Sequence, residues 1–279
     1  MIRGMYSAIS GLKQHQVMLD VTANNLANVN TIGYKGSRAT FKDQLQQNFA
    51  GGAASGATSG GQNPQQVGLG VTLSSIDNMQ GAGNLQTTGN PLDVALSGEG
   101  FFRVQAAAPG SAVEYTRAGN FSRNDNGDLV TTEGYYVLGM LNVTTTPPTP
   151  DPTGSQKINI PAGATGVAVA TDGTVSYIPN SGGARVTAGI IALAKFPNEG
   201  GLVRASGNRW QADPSSGPEQ VGQPGGTYAN TVGGAVEMSN VDLASEFTAM
   251  IVAQRGFQAN SRVISVADEI LQDLVNLKR

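Results

Sequence analysis

Cysteine is absent from the 279 residues. Its absence removes disulfides, thiolate zinc sites and cysteine nucleophiles together, and leaves stability to packing or to assembly. Charge is scarce as well: Asp, Glu, Lys and Arg make up 13% of the chain and the formal net charge is −3, so there is neither a basic nucleic-acid footprint nor an acidic tail. Nucleic acid and anionic membrane are therefore not expected partners. No run approaches the roughly 18 apolar residues of a membrane span. The opening MIRGMYSAISGLKQHQ lacks the apolar core and cleavage site of a secretory signal. The expectation is a protein that stays in the cytoplasm or leaves the cell by a route that cleaves no leader.

Groups that carry chemistry are equally few. His15 is the only histidine, and on a helical pattern it reads as a solvated or interfacial side chain. Gly98-Glu99-Gly100 resembles half of a phosphate-cradling loop, but a strand follows it where such a loop needs a helix, so a strand bend is the better account. Asn124, Asp125 and Asp128 lack the bidentate Glu of a calcium loop and fit a hairpin turn. No serine, histidine and carboxylate set can be argued from position. The lone Trp210 reads as a core or strand-edge residue. No enzyme, cofactor or metal is expected.

What the chain has in surplus is glycine, 38 residues, with much Ala, Ser, Thr, Asn and Gln, which suits turns, short strands and close backbone contacts. VAVATDGTVSYI places alternating strands on either side of Asp172-Gly173, and NFSRNDNGDLVTTEGYYVLGML repeats the pattern around Asn126-Gly127. DVALSGEGFFRVQ adds two short strands broken at Gly98 and Gly100. Further strands are expected near 71–76, 186–196 and 208–212. The stretches 50–66, 144–154 and 213–226 are rich in breakers and read as surface loops or tips.

The two ends differ from this middle. Met5, Leu12, Leu19 and Leu26 recur every seven residues, with Ile9 at the offset of four, and so do Leu243, Met250, Phe257, Ile264 and Leu271, with Phe247 and Val275. Both patterns predict helices with a coiled-coil-like seam. Asn240 or Asp242 can cap the second helix, and Lys278 and Arg279 suit its negative end. At 1.5 Å per residue its ~36 residues would make a rod of ~54 Å. Val263, Ala267, Ile270, Leu274 and Leu277 form a second apolar stripe, which two helices alone cannot cover, so other copies of the chain are the expected cover. The segment VTANNLANVNTIGYKG is the odd one: it follows the first helical face with four asparagines, whose side chains compete with the helical backbone.

MYSAISGLKQHQVMLDVTANNLANVNTIGYKGSRATF resembles the N-terminal signature of the bacterial flagellar rod and hook family. LDVALSGEGFFRV, YTRAGNFSRNDNGDLVTTEGYYVLG and the C-terminal SNVDLASEFTAMIVAQRGFQANSRVISVADEILQDLVNLKR are similar to its later landmarks, in family order. Only about 142–231 lacks a landmark. The resemblance implies an α+β fold: long terminal helices packed as an inner coiled-coil-like domain, 1–30 and 240–279, connecting segments 31–69 and 232–239, and a mainly antiparallel β outer domain, 70–231. It implies that Asn24, Asn25 and Asn28 end the first helix or pair with neighbouring subunits, that Gly33 and Gly36 let the chain change direction, and that the heptad residues above are the assembly interface.

By the same resemblance the chain would polymerise with itself and leave through the flagellar type III export apparatus. Its neighbours would be the distal rod protein, the hook cap and the hook-filament junction proteins. MIVAQRGFQANS and LVNLKR look more like hook proteins, particularly the short form of Gram-positive bacteria, and set the expectation of a curved, flexible hook. The Gly- and Ser-rich 50–66 resembles an extension of some straight rods and favours the distal rod instead. A soluble monomeric β-domain binder is the expectation of another class.

Overall fold

The computed structural model describes residues 2–52, 54, 60–107, 111–140, 154–180 and 182–277. They form two compact units, each assembled from separate stretches of chain: Met1–Ala27, Ser37–Asn78 and Asp242–Arg279 in the first, Asn28–Gly36 and Met79–Val241 in the second.

The first unit holds both long helices, α1 (Ile2–Ala27) and α2 (Leu243–Asn276). α2 starts where Asp242, in an extended conformation, accepts a hydrogen bond from the Ala244 amide at 3.0 Å and so satisfies one of the free donors of the first turn. Of the two caps expected, Asp242 is the one used. Lys278 and Arg279 lie outside the described residues. The helices run antiparallel: Gly11 lies against Asn260, His15 against Gly256, and Asn25 bonds to Glu246. Gly11 and Gly256 make room for the larger side chain opposite. A Cβ on Gly11 would stand 2.8 Å from the Asn260 amide nitrogen.

Against α1 lies a two-stranded ribbon that the heptad analysis did not reveal. Ser37–Asp43 pairs antiparallel with Val71–Asn78, and the ribbon continues as Gln46–Ala50 against Gln65–Gly68. Part of 31–69, expected only as a connection, and the end of the 50–66 loop are thus strand. Pleating puts Phe41, Leu45, Val67, Leu69, Val71 and Leu73 on one face and Lys42, Gln46, Gly68, Gly70 and Thr72 on the other. Gly70 lies against Ser7 and Ser10, and the Val71 amide donates to Ser10 Oγ at 3.2 Å.

The second unit is β-structure, antiparallel in every described pair. Its longest sheet runs through Thr165–Val169, Thr174–Ile178, Val186–Ile191, Tyr136–Met140, Phe101–Gln105, Val113–Thr116, Arg209–Gln211 and Val203–Arg204. The hairpins expected at Asp172-Gly173 and Asn126-Gly127 are present, both glycines having positive φ. The expected loop 213–226 is more ordered than its breakers suggest: Asp213 caps a short 3-10 turn, Pro214–Ser216, and Gln220–Gly222 pairs with Leu193–Lys195. Of 144–154 only Gly154 is described.

Phe101 and Phe102 both have no exposed surface, and as neighbours in a strand they point to opposite faces. Phe102 joins Val104, Phe121, Leu129, Val137 and Ile191 in one core cluster. Phe101 joins Tyr115, Phe196, Leu202 and Trp210 in the other. The chain is thus α+β, with terminal helices and mainly antiparallel strands between them.

Phe102→Ala should remove the side chain that fills the larger cluster and lower the stability of this unit by about 3–5 kcal/mol. Urea unfolding followed by the fluorescence of the only tryptophan, buried Trp210, measures it. An unchanged midpoint would mean that Phe102 is not a core residue.

Candidate assembly interface

α2 has two unlike faces. Met250, Ala253, Phe257 and Ile264 are buried or half-buried on the side toward α1, as are Met5, Ile9, Leu12, Leu19 and Leu26 on the first helix, and Leu271 beyond them is also half-buried. Leu243, Phe247 and Val275, expected in the same set, are mostly exposed. A separate stripe, Val263, Val266, Ile270, Leu274 and Leu277, recurs every three or four residues and faces solvent, Leu277 being 83% exposed. It contains four of the five residues of the second stripe read from the sequence, Ala267 being half-buried. The antiparallel register leaves α2 from about Ile270 onward with no α1 residue opposite. Burial of such side chains is worth about 1.5–3 kcal/mol each.

The asparagines of the odd segment have separate roles. Asn24 and Asn25 are still helical, since α1 ends at Ala27. Asn24 is on the exposed side. Asn25 is buried: its Nδ2 donates to the Ser37 carbonyl at 2.8 Å and to Glu246 at 3.1 Å, while its Oδ1 accepts from the Ser37 amide at 2.9 Å. One amide thereby joins α1, the ribbon and the first turn of α2. Burial raises the Glu246 carboxyl above the usual range, and the Asn25 hydrogen bond opposes that.

Asn28 opens a strap, 28–36, that belongs to the β-rich unit. Its Oδ1 accepts from Thr31 Oγ1 at 3.2 Å. Gly33 turns with φ +68°, and a Cβ there would lie 2.7 Å from the Arg117 carbonyl carbon. Three segments of the unit, around 79, 204–208 and 237–240, converge on this strap. Gly33 N donates to Glu237 O at 2.8 Å, Gly36 N to Asn240 Oδ1 at 2.9 Å, and Met79 N to Gly36 O at 2.8 Å. Asn208 donates to Ile32 O at 3.1 Å, and Arg204 to Lys35 O.

At the centre of the strap is a charge cluster that spacing could not predict, because its members are far apart in sequence. The Lys35 and Glu237 side chains have no exposed surface, and Lys35 Nζ is 2.6 Å from Glu237 Oε1 and 2.7 Å from Gly81 O. The Arg117 side chain, nearly as buried, reaches Glu237 Oε2 at 3.3 Å, and the Gly83 amide donates to Oε1 at 2.8 Å. Burial pushes Lys35 below the usual lysine range, opposed mainly by Glu237. Nearby Glu199 is pushed up by burial, opposed mainly by Arg117, and its Oε1 is buried without a hydrogen-bond partner. Among the described residues there is no group of three or more His, Asp or Glu that could hold a metal ion, and no helix is long and apolar enough to cross a membrane.

Three family models match the chain: "Flagella basal body rod protein" over residues 5–35, "Flagellar hook protein FlgE/F/G D1 domain" over 95–177, and "Flagellar basal body rod FlgEFG protein C-terminal" over 232–277. The chain is 46% identical to the flagellar basal-body rod protein FlgG of Bacillus subtilis, with 100% of both chains covered. With the same complete coverage of both chains, it is 34% identical to the FlgG of Borreliella burgdorferi over 282 positions. It is 27% identical to the flagellar hook protein FlgE of that organism, again with both chains covered in full, but over 444 positions.

Two outcomes follow from the strap. Gly33→Val should destabilise the β-rich unit itself, by at least about 1–3 kcal/mol, since it adds a branched side chain at a positive φ and against backbone; an unaltered Trp210 unfolding midpoint would contradict that. Glu199→Gln should stabilise the unit at pH 7. The raised acid contributes stability that is fully present below the ordinary carboxylate range and is lost as pH rises through its folded pKa, so the advantage of Gln should grow across that window and vanish below it. Parallel melting curves from pH 4 upward would show no such divergence if Glu199 were freely solvated.

Proposed function

Because this chain belongs to the flagellar rod and hook protein family, whose members are structural subunits of the flagellum and not enzymes, we propose that it is the subunit of the distal rod. The observation that carries this reading is the full-length correspondence with rod proteins. The B. subtilis FlgG aligns over 281 positions, nearly the length of the chain, whereas the hook protein requires 444. The hook expectation rested on MIVAQRGFQANS and LVNLKR. These lie almost wholly within 232–277, which match a model whose description names FlgE, FlgF and FlgG together, so they mark the family and do not separate its members.

In this reading the antiparallel helices form a coiled-coil-like wall of the assembly. Val263, Val266, Ile270, Leu274 and Leu277 are covered by neighbouring copies, with Leu243, Phe247 and Val275 adding contacts. The rod transmits torque as a straight shaft, and the hook continues from its far end. The helical seams give stiffness along the axis because every copy repeats them.

Immunogold electron microscopy of isolated hook-basal bodies tests the placement. Label on the straight segment between the rings and the hook is expected; label along the curved hook would restore the hook reading. For the interface, Ile270→Asp should stop polymerisation by placing an unpaired charge in the covered stripe, at a cost of several kcal/mol per contact. In the unassembled subunit the same exposed site should tolerate it within about 0.5 kcal/mol. Sedimentation and thermal melting together give both readouts, and rods of normal length from the variant would remove this stripe from the interface.

A further inference from the structure

The exposed stripe of α2 continues toward the helix start as a surface of a different kind. Counted back from Leu277 in steps of three or four residues, one side of the helix carries Leu274, Ile270, Val266, Val263 and Ala259 and, two steps on, Val252, Thr248 and Ser245, all exposed. Its side chains are large in the C-terminal half and mostly small in the N-terminal half. Around the small ones lies an open groove, bordered by Met18 of α1 and by Ala244, Ser245, Thr248, Ala249 and Val252. One helix face thus holds a ridge near one end and a groove near the other. Ile270 in the ridge and Thr248 in the groove are about 22 residues, or about 33 Å, apart along the axis. A continuous helix keeps them apart, so the groove of one copy can receive only the ridge of another.

Two arrangements seat the ridge in the groove. In the antiparallel one, two copies exchange ridges and the contact closes as a dimer. It also brings Arg255 of each copy to the level of Arg262 of the other on the same flank, so two like-charge pairs oppose it. In the parallel one, the ridge of each copy enters the groove of the next. Arg262 then comes to about the level of Asp242, the cap of the next copy's α2, on the facing flank and with opposite charge. This contact is heterologous: it leaves a ridge free at one end and a groove free at the other, and repeats without closing.

We propose that the ridge 263–277 of one copy docks head to tail in the groove between Met18 and the first turns of α2 in the next copy, with Ile270 against Thr248. Ala244 and Ala249 leave room for the branched side chains, the same large-against-small fit by which Gly11 and Gly256 admit Asn260 and His15 within the subunit. The inference rests on the reading of the stripe as covered by neighbouring copies, and adds which surface covers it and in which direction. Each copy joins two others through opposite ends of a single helix, so the polarity of α2 becomes the polarity of the assembly.

The chain has no cysteine, so introduced thiols report the contact alone. The double variant Thr248→Cys/Ile270→Cys places two thiols on one helix about 33 Å apart, far beyond the ~7 Å between Cα atoms that a disulfide can span, so any bridge joins two copies. Hook-basal bodies isolated from cells producing the full-length variant are oxidised mildly, separated on denaturing gels without reductant and probed with antibody to this chain. Head-to-tail docking predicts a ladder of dimer, trimer and larger species that holds most of the chain. Dimers with nothing larger would show the closed antiparallel pair, and monomer alone in assembled structures would show that ridge and groove do not meet; either overturns the proposal and leaves the rod reading standing. Absence of the parent chain from hook-basal bodies would remove the rod reading, and the proposal with it. The pair Ala244→Cys/Val266→Cys has the same spacing and should give the same ladder; a ladder from only one of the two pairs would set another register and overturn this one. Thr248→Cys/Asp268→Cys, whose second thiol lies on a different side of the helix, should stay monomeric, and a ladder from it would overturn the assignment of the face.

Discussion

A lysine ammonium 2.6 Å from a glutamate, both out of contact with water, is the constraint around which the β-rich unit is arranged. Low local dielectric makes each charge intolerable alone, so the segments that bring them together cannot part without leaving one stranded. Those segments are a strap directly after the first helix, the 79–83 loop, Arg117 and the last strand before the second helix. The sandwich of aromatic and aliphatic side chains around Phe101 and Phe102 supplies the bulk of the packing.

The first unit follows a different rule. Its helices meet through small residues facing large ones, Gly11 with Asn260 and Gly256 with His15, and one asparagine, Asn25, binds the ribbon and the second helix at the same level. The ribbon adds apolar surface on a face turned from Gly70, the ribbon glycine that approaches α1. Little of this unit is buried to the extent of the β core: in α2 only Ala253 is fully covered. Partial burial is what a subunit that completes its packing in a polymer should display.

Periodic features were legible in the sequence. Heptad spacing located both helices, and the Asn-Gly and Asp-Gly turns located two hairpins, because each signal is local and is set by backbone geometry that a few residues control. The uncovered stripe was legible for the same reason. Of the ribbon only the strand expected near 71–76 was legible; in the rest, glycine and glutamine on one face and a bulge at Thr40/Phe41 blur the alternation. The breakers of 213–226 hid a short strand whose partner, Leu193–Lys195, is distant. The strap was read as a turn with asparagines to be satisfied, and Gly33 does turn there. That Lys35 would be buried could not be inferred, because Lys is normally solvated and its acid lies some two hundred positions away.

The interlacing of the two units bears on how such chains can diversify. The polypeptide passes from one unit to the other four times, after Ala27, Gly36, Asn78 and Val241, so neither unit is a contiguous gene segment. Exchange of a whole unit between relatives by a single recombination event is therefore closed to this architecture, whereas trimming within either terminal helix removes residues of the first unit alone. New length can enter only where the chain leaves and returns at neighbouring points. The ribbon offers one such place, with Ala50 opposite Gln65 at its far end, where an inserted module would disturb neither core.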